Sequence, residues 1–564
     1  MRLKSRNSQQ GRGFPARVRR QGFQPTPCLH VLQLLSPLHP PAHTISGLEA
    51  PTPDVGWKPT PLLKFPMKSV LLKPYAYHVR NQLRKMARRA VLSQEYICMD
   101  LVTTARETAY GQDHDFANLS TYEDFKKRVP IVDYEGFRPY ADRIKAGEAN
   151  VSWLGTPKYF AKTSGTTSGA KYIPLTRESI PNHFGTARNA LFNYVAETGR
   201  SKWLDGKMIF LSGSPEMTET NGILTGRLSG IVNHQVPAWL RTNQLPSYAT
   251  NTIEEWEYKL ERIVDETINA DMRLISGIPP WVQMYYERLL ARSGKDTIMD
   301  LFPNLDMFVY GGVNFEPYRQ TLEKLVGRRL PSVETYPASE GFIAFQDSQD
   351  SEGLLLNADS GIFFEFVPAD EIFNDNPTRL HLGQVEVGVN YAIILNTNAG
   401  LWGYNIGDTV EFISKYPYRL RVTGRIKHFI SAFGEHVIGK EVEAALRSVA
   451  DQHRVAVTEF SVAPQITPPE GGLSYHEWFI EFTDAPADLP AFESALDNAM
   501  VRQNIYYQDL IEGKILRPLR VRSLPAGSFR RYMDSQGKLG GQNKVPRLSN
   551  DRKLADALTQ LLAP

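Results

Sequence analysis

A short glycine- and hydroxyl-rich segment between two strand patterns constrains this chain more than any other feature. Residues 163–171 read Thr-Ser-Gly-Thr-Thr-Ser-Gly-Ala-Lys, and β-type patterns lie on both sides, at 159–162 and 172–176. Glycines let the backbone turn its N–H groups inward, hydroxyls add donors, and lysine adds a positive charge. The segment therefore predicts a phosphate-holding loop in a β-hairpin. A flexible Ser/Thr/Gly linker is the alternative interpretation.

The spacing of this segment excludes a Walker A loop. That motif has four residues between its glycines, followed by Lys and Ser or Thr at the start of a helix. Here three residues separate Gly165 from Gly169, Ala170 separates Gly169 from Lys171, and a strand pattern follows. We therefore expect a phosphate loop that leads into a strand.

The bulk composition is that of a globular protein with several domains. The chain has 564 residues, enough for two to four domains at about 100–200 residues each. Its 64 basic and 61 acidic residues leave a net charge of +3, which gives no electrostatic reason to expect nucleic acid or a membrane as partner. Two cysteines, Cys28 and Cys98, are too few for a disulfide framework or a cysteine metal site, so we expect a cytoplasmic protein.

The N-terminal segment differs from the rest of the chain. Residues 1–48 contain seven Lys or Arg and no acidic residue. An organelle transit peptide and a disordered tail are two interpretations of this composition. The third, which we favour, is translated upstream sequence ahead of a true start at Met67, because Met67 directly precedes the first helical pattern. In each case we expect residues 1–66 to be an extension without a fold of its own.

Residues 67–423 predict a large α/β domain. A helical pattern covers 74–108, and short apolar strands at 208–212, 274–277 and 307–310 are separated by helical segments. Such alternation indicates layers with a mostly parallel sheet. From about residue 361 the sequence pattern changes to short strands separated by turns, which predicts a β-meander or small barrel. Its expected strands are 362–367, 384–389, 391–396, 408–414 and 418–423.

Residues 424–564 predict a second, smaller domain. Their pattern is helix 440–450, strands 455–463 and 477–483, helix 489–502 and strand 519–523. This α-β-β-α-β order, over about 140 residues, is large enough for a separate α+β domain.

Four further clusters carry residue types suited to nucleotide chemistry. Gly311 and Gly312 follow a short strand, where a ring or carbonyl can approach the backbone; an ordinary turn is the alternative. Ser339 and Glu340 suit a Mg²⁺ ion that bridges to phosphate; a helix N-cap is the alternative.

The other two clusters lie near the predicted domain junction. Asp408 follows Gly407 and can accept hydrogen bonds from both ribose hydroxyls, although aspartate after glycine is also common in plain turns. Arg425 follows Gly424 and can reach a ribose or a phosphate, although it also suits a surface strand end.

The order of these clusters resembles the adenylate-forming superfamily, which includes acyl-CoA synthetases and luciferases. Within it, the chain is most similar to the Gretchen Hagen family of acyl acid amido synthetases. The segments that carry the resemblance are TSGTTSGAKYIPLT (163–176), YGGVNFEPY (310–318), ETYPASEG (334–341), LWGYNIGD (401–408), GRIKHFISAFGEHVIGKEVEAAL (424–446), YHEWFIEF (475–482) and GQNKVPR (541–547).

The resemblance implies a role for each matched residue. It implies a nucleotide site formed by Thr163, Ser164, Gly165, Thr166, Thr167, Ser168, Gly169, Lys171, Gly311, Gly312, Tyr336, Ser339, Asp408 and Arg425. Lys171 is the phosphate-binding lysine, Glu340 organises Mg²⁺, and Tyr336 stacks on or positions the adenine. Asp408 and Arg425 bind the ribose. Lys427 is the hinge of a mobile small domain, and Lys544 is the lysine that this domain brings to the adenylation site.

The resemblance also implies the reaction. A carboxylic acid and MgATP give acyl-AMP and pyrophosphate, and an amine, expected to be an amino acid, then takes the acyl group. Two alternatives stay open: an acyl-CoA or aryl-CoA ligase with the same adenylate intermediate, and a non-catalytic nucleotide-binding protein. The expected partners are small molecules, and the expected assembly is a monomer or weak homodimer.

Overall fold

The residues that the structure describes begin just after the predicted N-terminal extension. The computed structural model describes residues 68–163, 170–236, 238–312, 315–426, 429–430, 432–435, 437–536 and 545–560. Residues 1–66, the loop 164–169, Lys427 and Lys544 lie outside this set, so the predictions made for them are not tested.

Helices form the first part of the described chain. They are α1 (Lys68–Leu71), α2 (Lys73–Arg88), α3 (Ala90–Ala105), α4 (Ala109–Asp113), the 3₁₀ turn Phe116–Asn118, α5 (Tyr122–Arg128) and α6 (Tyr134–Lys145). The apolar positions of α2 recur every three or four residues and are buried, which is why this segment is a helix. The single helix predicted over 74–108 is wrong in one detail, because Arg89 leaves helical geometry (φ −116°, ψ 14°) and divides it into α2 and α3.

The predicted hairpin around the phosphate loop is confirmed. Strands β1 (Tyr159–Thr163) and β2 (Lys171–Leu175) pair antiparallel, with Thr163 opposite Lys171. Together with β4 (Thr218–Thr220) and β5 (Ile223–Gly226) they form a four-stranded sheet in the order β2-β1-β5-β4, in which β1 and β5 are parallel. The helix that follows the hairpin, α7, covers Ile180–Thr198.

A twelve-stranded sheet forms the centre of the described residues. Its parallel part contains β3 (Lys207–Phe210), β6 (Gln244–Leu245), β7 (Met272–Ser276), β8 (Met307–Gly311) and β9 (Ser332–Ala338). The strand order here is β9-β8-β7-β3-β6. The connecting elements are the 3₁₀ turn Lys202–Asp205, α8 (Leu228–His234), α9 (Ala238–Arg241), α10 (Tyr248–Asn251), α11 (Trp256–Thr267), α12 (Pro279–Ser293), α13 (Ile298–Leu301) and α14 (Glu316–Val326).

The predicted meander is the antiparallel continuation of this sheet. It consists of β10 (Gly341–Phe345), β11 (Leu354–Leu356), β12 (Ile362–Pro368), β13 (Leu380–His381), β14 (Asn390–Thr397), β15 (Tyr404–Lys415) and β16 (Tyr418–Arg425). The strand predicted over 384–389 is wrong: a 3₁₀ turn, Leu382–Gln384, occupies its start, and His381 caps that turn. The meander therefore joins edge to edge with the parallel strands instead of forming a separate layer.

The α-β-β-α-β order predicted beyond residue 424 is confirmed. After the short strands β17 (Phe429–Ile430) and β18 (Val437–Ile438), the order is α15 (Gly439–His453), β19 (Ala456–Gln465), β20 (Tyr475–Asp484), α16 (Leu489–Gln503), α17 (Ile505–Glu512), β21 (Arg520–Leu524), α18 (Ser528–Ser535) and α19 (Lys553–Gln560). Strands β19, β20 and β21 form one sheet, in which β20 and β21 are parallel. In the described residues, no helix is both long and apolar enough to cross a bilayer.

The C-terminal region packs directly on the large sheet region. Trp256 of α11 belongs to the same apolar core as Trp478 and Phe492, and Trp281 of α12 packs against that core. The Tyr318 hydroxyl donates to the Ala432 carbonyl at 2.7 Å. The aromatic side chains of α11 and α12 thus hold the two regions together beside the carboxyl ends of the parallel strands.

Candidate active site

The tight turn between β9 and β10 carries two of the predicted site residues. Ser339 and Glu340 connect the two strands, and both line a cavity. The alternative of a helix N-cap is wrong here, because the chain continues as strand β10 from Gly341. A Cβ at Gly341 would lie 2.4 Å from the Ile362 Cδ1 atom, so a larger residue there would require the Ile362 side chain to shift. The turn thus presents a carboxylate and a hydroxyl at the end of a strand.

Asp408 and Arg425 form a cross-strand pair beside this turn. They lie directly opposite each other on β15 and β16, and Arg425 Nε is 2.5 Å from Asp408 Oδ1. The Tyr336 hydroxyl donates to the other carboxylate oxygen, Oδ2, at 2.6 Å. A carboxylate has about four lone-pair sites. Each oxygen can therefore accept a second hydrogen bond, and the two protein contacts fix the orientation of the carboxylate.

Lys171 lies at the first position of β2, next to the predicted phosphate loop. Its ammonium is 5.9 Å from the ring centre of Tyr134, and the Tyr134 hydroxyl accepts the Tyr172 backbone N–H at 2.9 Å. Burial lowers the pKa of Lys171, although the Glu340 charge opposes this shift. Burial raises the pKa of Glu340, and the Lys171 charge opposes that shift in turn. Each charge thus compensates part of the other's desolvation inside the cavity wall.

Two glycines lie at the end of β8: Gly311 is its last residue, and Gly312 follows it. A Cβ at Gly311 would lie 2.3 Å from the Thr335 carbonyl oxygen, so the close pairing of β8 and β9 leaves space only for glycine. Gly312 has φ +82° and lines the cavity. Gly311 therefore supports the strand pairing, whereas Gly312 contributes backbone to the cavity wall.

One large cavity brings the predicted residues together. It has a volume of about 1330 Å³ and follows the carboxyl ends of the parallel strands, where α/β sheets bind ligands. Eight predicted residues line it: Thr163, Lys171, Gly312, Tyr336, Ser339, Glu340, Asp408 and Arg425. Ser164, Gly165, Thr166, Thr167, Ser168, Gly169 and Lys544 lie outside the described residues.

The donor set at the turn fits a metal ion only together with a ligand. Among the described residues, no cluster of three or more Asp, Glu, His or Cys side chains is placed to hold a metal. Mg²⁺ is commonly held by one or two carboxylates together with substrate phosphates. Glu340, buried beside Lys171, therefore suits the protein side of such a site.

Sequence reasoning missed several residues of the cavity region. Tyr404 lies against Glu340, and burial together with the Glu340 charge raises its pKa well above the usual value. Tyr404 lies inside the matched segment 401–408, so the sequence contained a motif that could have pointed to it. Tyr134, whose hydroxyl accepts the Tyr172 backbone N–H, lies in no such motif. Arg227 and Lys259 line the far end of the cavity, and no motif pointed to them.

Comparisons with known proteins show the family to which the chain is similar. The GH3 family N-terminal domain matches residues 79–233 and 223–331, the central domain matches 355–425, and the C-terminal domain matches 440–553. The indole-3-acetic acid-amido synthetase GH3.3 of Arabidopsis thaliana is 22% identical over 82% of this chain and 90% of its own length. The jasmonoyl–L-amino acid synthetase GH3.5 of Oryza sativa subsp. japonica is 22% identical, over 83% of this chain and 94% of its own length.

A solved structure has the same fold. AtGH3.15 acyl acid amido synthetase, in complex with 2,4-DB, superposes with a TM-score of 0.55 at 16% identity and covers 86% of this chain and 96% of its own. The predicted fold class, an α/β fold with a large, partly parallel sheet region followed by a smaller α+β C-terminal region, is confirmed. Since the family models together cover well over half of the sequence, the chain belongs to the GH3 family.

Proposed function

We propose that this protein is an ATP-dependent acyl acid amido synthetase. It adenylates a carboxylic acid and then transfers the acyl group to an amine, with an amino acid as the expected acceptor. The amido synthetases among its relatives support this class of ligase. The observation that carries the proposal is the convergence of Lys171, Glu340, Tyr336 and the Asp408–Arg425 pair on one cavity.

The first half-reaction needs a nucleotide held in line with the acid. In the proposal, Asp408 and Arg425 bind the ribose, Tyr336 positions the adenine, and Lys171 and the loop 164–169 hold the β- and γ-phosphates. A carboxylate oxygen of the acid attacks the α-phosphorus, the bond from that phosphorus to the β-phosphate bridging oxygen breaks, and pyrophosphate leaves. Charge neutralisation and alignment supply most of the catalysis of phosphoryl and nucleotidyl transfer.

Glu340 and Ser339 are the residues that we assign to Mg²⁺, together with ATP phosphate oxygens. When bound, the ion would neutralise charge on those oxygens. Glu340 must be ionised for this role, and the Lys171 charge nearby favours the ionised form against the cost of burial.

The second half-reaction converts the mixed anhydride into an amide. The amine nitrogen attacks the acyl carbon, the bond between that carbon and the phosphate oxygen breaks, and AMP leaves while the nitrogen loses a proton. In the proposal, the region from residue 424 is the mobile small domain that hinges at Lys427, and it brings Lys544 to the site for adenylation. We further propose a cytoplasmic monomer or weak homodimer.

Product analysis tests the proposed function. The protein is incubated with ATP, Mg²⁺ and a panel of aryl, indolyl and fatty acids, with an amino acid mixture or with CoA, and products are identified by mass spectrometry. We expect AMP, pyrophosphate and an N-acyl amino acid. A thioester formed only with CoA would favour the acyl-CoA ligase. Tight ATP binding with no product from any acid would favour the non-catalytic alternative.

A further inference from the structure

The cavity extends beyond the predicted nucleotide site. At one end it contacts β9 and the turn after it; at the other it reaches Ser212 and Gly213, just beyond β3. We call this second part the β3 end, and define it by Ser212, Gly213, Arg227, Lys259 and Asp509. The proposed function leaves this end without a ligand, and the arrangement of its charges is unusual.

Lys259 is a buried cation without a buried anion beside it. Its residue is 3% exposed, and its ammonium donates to two backbone carbonyls, of Asn251 at 2.7 Å and of Ser212 at 3.1 Å. In the part of the chain that the structure describes, Lys259 forms no salt bridge with a carboxylate. Burial, and then the Arg227 charge, lower its pKa to about 8. A buried charge is costly unless an opposite charge compensates it.

Arg227 lies close to Lys259 and already holds a carboxylate. It forms an ion pair with Asp509 of α17, and its guanidinium is 5.5 Å from the ring centre of Tyr506. Its side chain passes close to Gly213, because a Cβ there would lie 3.0 Å from the Arg227 Cδ atom. Arg227 belongs to the large region, whereas Asp509 belongs to the region that we expect to be mobile. The ion pair therefore depends on the position of the C-terminal region.

The other charges at this end do not neutralise Lys259. Lys162 and Glu512 lie near Asp509 and shift its pKa in opposite directions, while burial is the largest cause of its raised pKa. Glu254 and Glu255 also line the cavity but are exposed, and the Glu255 carboxylate accepts the backbone N–H groups of residues 257 and 258. Two cations, one buried and one paired with a carboxylate of the C-terminal region, thus line the same cavity.

We infer that Lys259 and Arg227 bind the carboxylate of the amino-acid acceptor. This inference rests on the proposed function. The carboxylate of the acid substrate becomes the acyl group at the nucleotide end, whereas the carboxylate of an amino-acid acceptor stays unreacted and suits the two cations of the β3 end. An amino acid brings both a carboxylate and an amine. In the present structure the Asp509 carboxylate forms an ion pair with the Arg227 guanidinium. When the acceptor binds, its carboxylate replaces that of Asp509.

The test compares an amino acid with the same molecule lacking its carboxylate. The best acceptor among the twenty common amino acids is paired with the amine that its decarboxylation gives, and KM for each is measured in the wild type and in Arg227→Met, Lys259→Met and Asp509→Asn. Arg227→Met and Lys259→Met should raise KM for the amino acid about tenfold or more and leave KM for the amine unchanged. Asp509→Asn should lower KM for the amino acid, because the competing carboxylate is removed.

Control variants and a partial reaction distinguish failure of this inference from failure of the proposed function. Arg143→Met removes a partly exposed arginine that pairs with Glu148 outside the cavity, and should change neither KM. If Lys259→Met does not fold, Arg227→Met and Asp509→Asn still give opposite predictions. Equal effects on amine and amino acid, an effect on the acid substrate alone, or no acceleration by any amino acid would overturn the inference. Absence of acid-dependent ATP–pyrophosphate exchange in the wild type would instead overturn the proposed function.

Discussion

The two ends of the cavity are built in different ways. At the nucleotide end, the polar groups lie on paired strands and fix one another: Asp408 opposes Arg425 in the strand register and accepts the Tyr336 hydroxyl. At the β3 end, Lys259 lies on α11 and Arg227 immediately before α8, and their partners are backbone carbonyls and a carboxylate from the C-terminal region.

This difference indicates a division of labour. A ligand common to all substrates, ATP, suits a rigid site whose geometry is set by strand pairing. A site whose anion is supplied by another region can change as that region moves. We therefore expect substitutions at the nucleotide end to impair adenylation with every acid, and substitutions at the β3 end to affect the acceptor alone. The following predictions test the first half of that contrast.

The largest effect is expected at Lys171. Lys171→Ala should slow acid-dependent pyrophosphate formation by at least about tenfold and up to about 150-fold, because a charged hydrogen bond to phosphate contributes about 1.5–3 kcal/mol. Initial rates with saturating acid measure the change. Lys158→Ala is the control, because that exposed ammonium lies over the Tyr159 ring and outside the cavity. An unchanged rate in Lys171→Ala would refute the phosphate assignment.

The next effect is expected at Asp408. Asp408→Ala should raise KM for ATP about tenfold, since the ribose loses its acceptor and Arg425 loses its partner. Glu411→Gln is the matched control, because Glu411 pairs with Arg421 across the same two strands and does not line the cavity. If KM rose for the acid substrate while KM for ATP stayed constant, the ribose site would lie elsewhere.

A pH effect should follow from the burial of Lys171. Burial holds the pKa of Lys171 below its ordinary value of 10.5, and the charged form predominates only below that lowered pKa. The kcat/KM for ATP should therefore fall as pH rises through it, about tenfold per pH unit beyond it. In Lys171→Arg this alkaline decrease should disappear from the same range, since arginine stays protonated. An identical decrease in both proteins would assign it to another group.

The smallest effect is expected at Tyr336. Tyr336→Phe removes only the hydroxyl that donates to Asp408, which keeps Arg425 as its partner. KM for ATP should rise about threefold, and Tyr336→Ala should raise it further because the ring is lost as well. Equal KM values for the two variants would show that the ring does not contact the nucleotide.

Local pattern explains which parts of the molecule were predictable. The hairpin around 163–171, the parallel strands and the C-terminal α-β-β-α-β order each follow from hydrophobic periodicity and turn residues within short segments. The break at Arg89 and the loss of the strand at 384–389 depend on tertiary packing and a side-chain cap, and neither leaves a periodic signal.

The same division applies to the site. Glu340 follows strand β9 and Asp408 lies within β15, and each belongs to a short recognisable segment, so the sequence pointed to both residues. The burial of Lys259 and the ion pair between Arg227 and Asp509 join residues far apart in sequence. No sequence motif links residues so far apart, so these contacts are visible only in the folded structure.

The measurement that tests the central claim most directly is ATP–pyrophosphate exchange without any acceptor. Labelled pyrophosphate is incubated with the protein, ATP, Mg²⁺ and each acid of the panel, and label in ATP is counted. The account predicts exchange that depends on a carboxylic acid, is lost in Lys171→Ala and persists in Arg227→Met. Cleavage of ATP to ADP and phosphate, or no exchange with any acid while ATP binds, would contradict it.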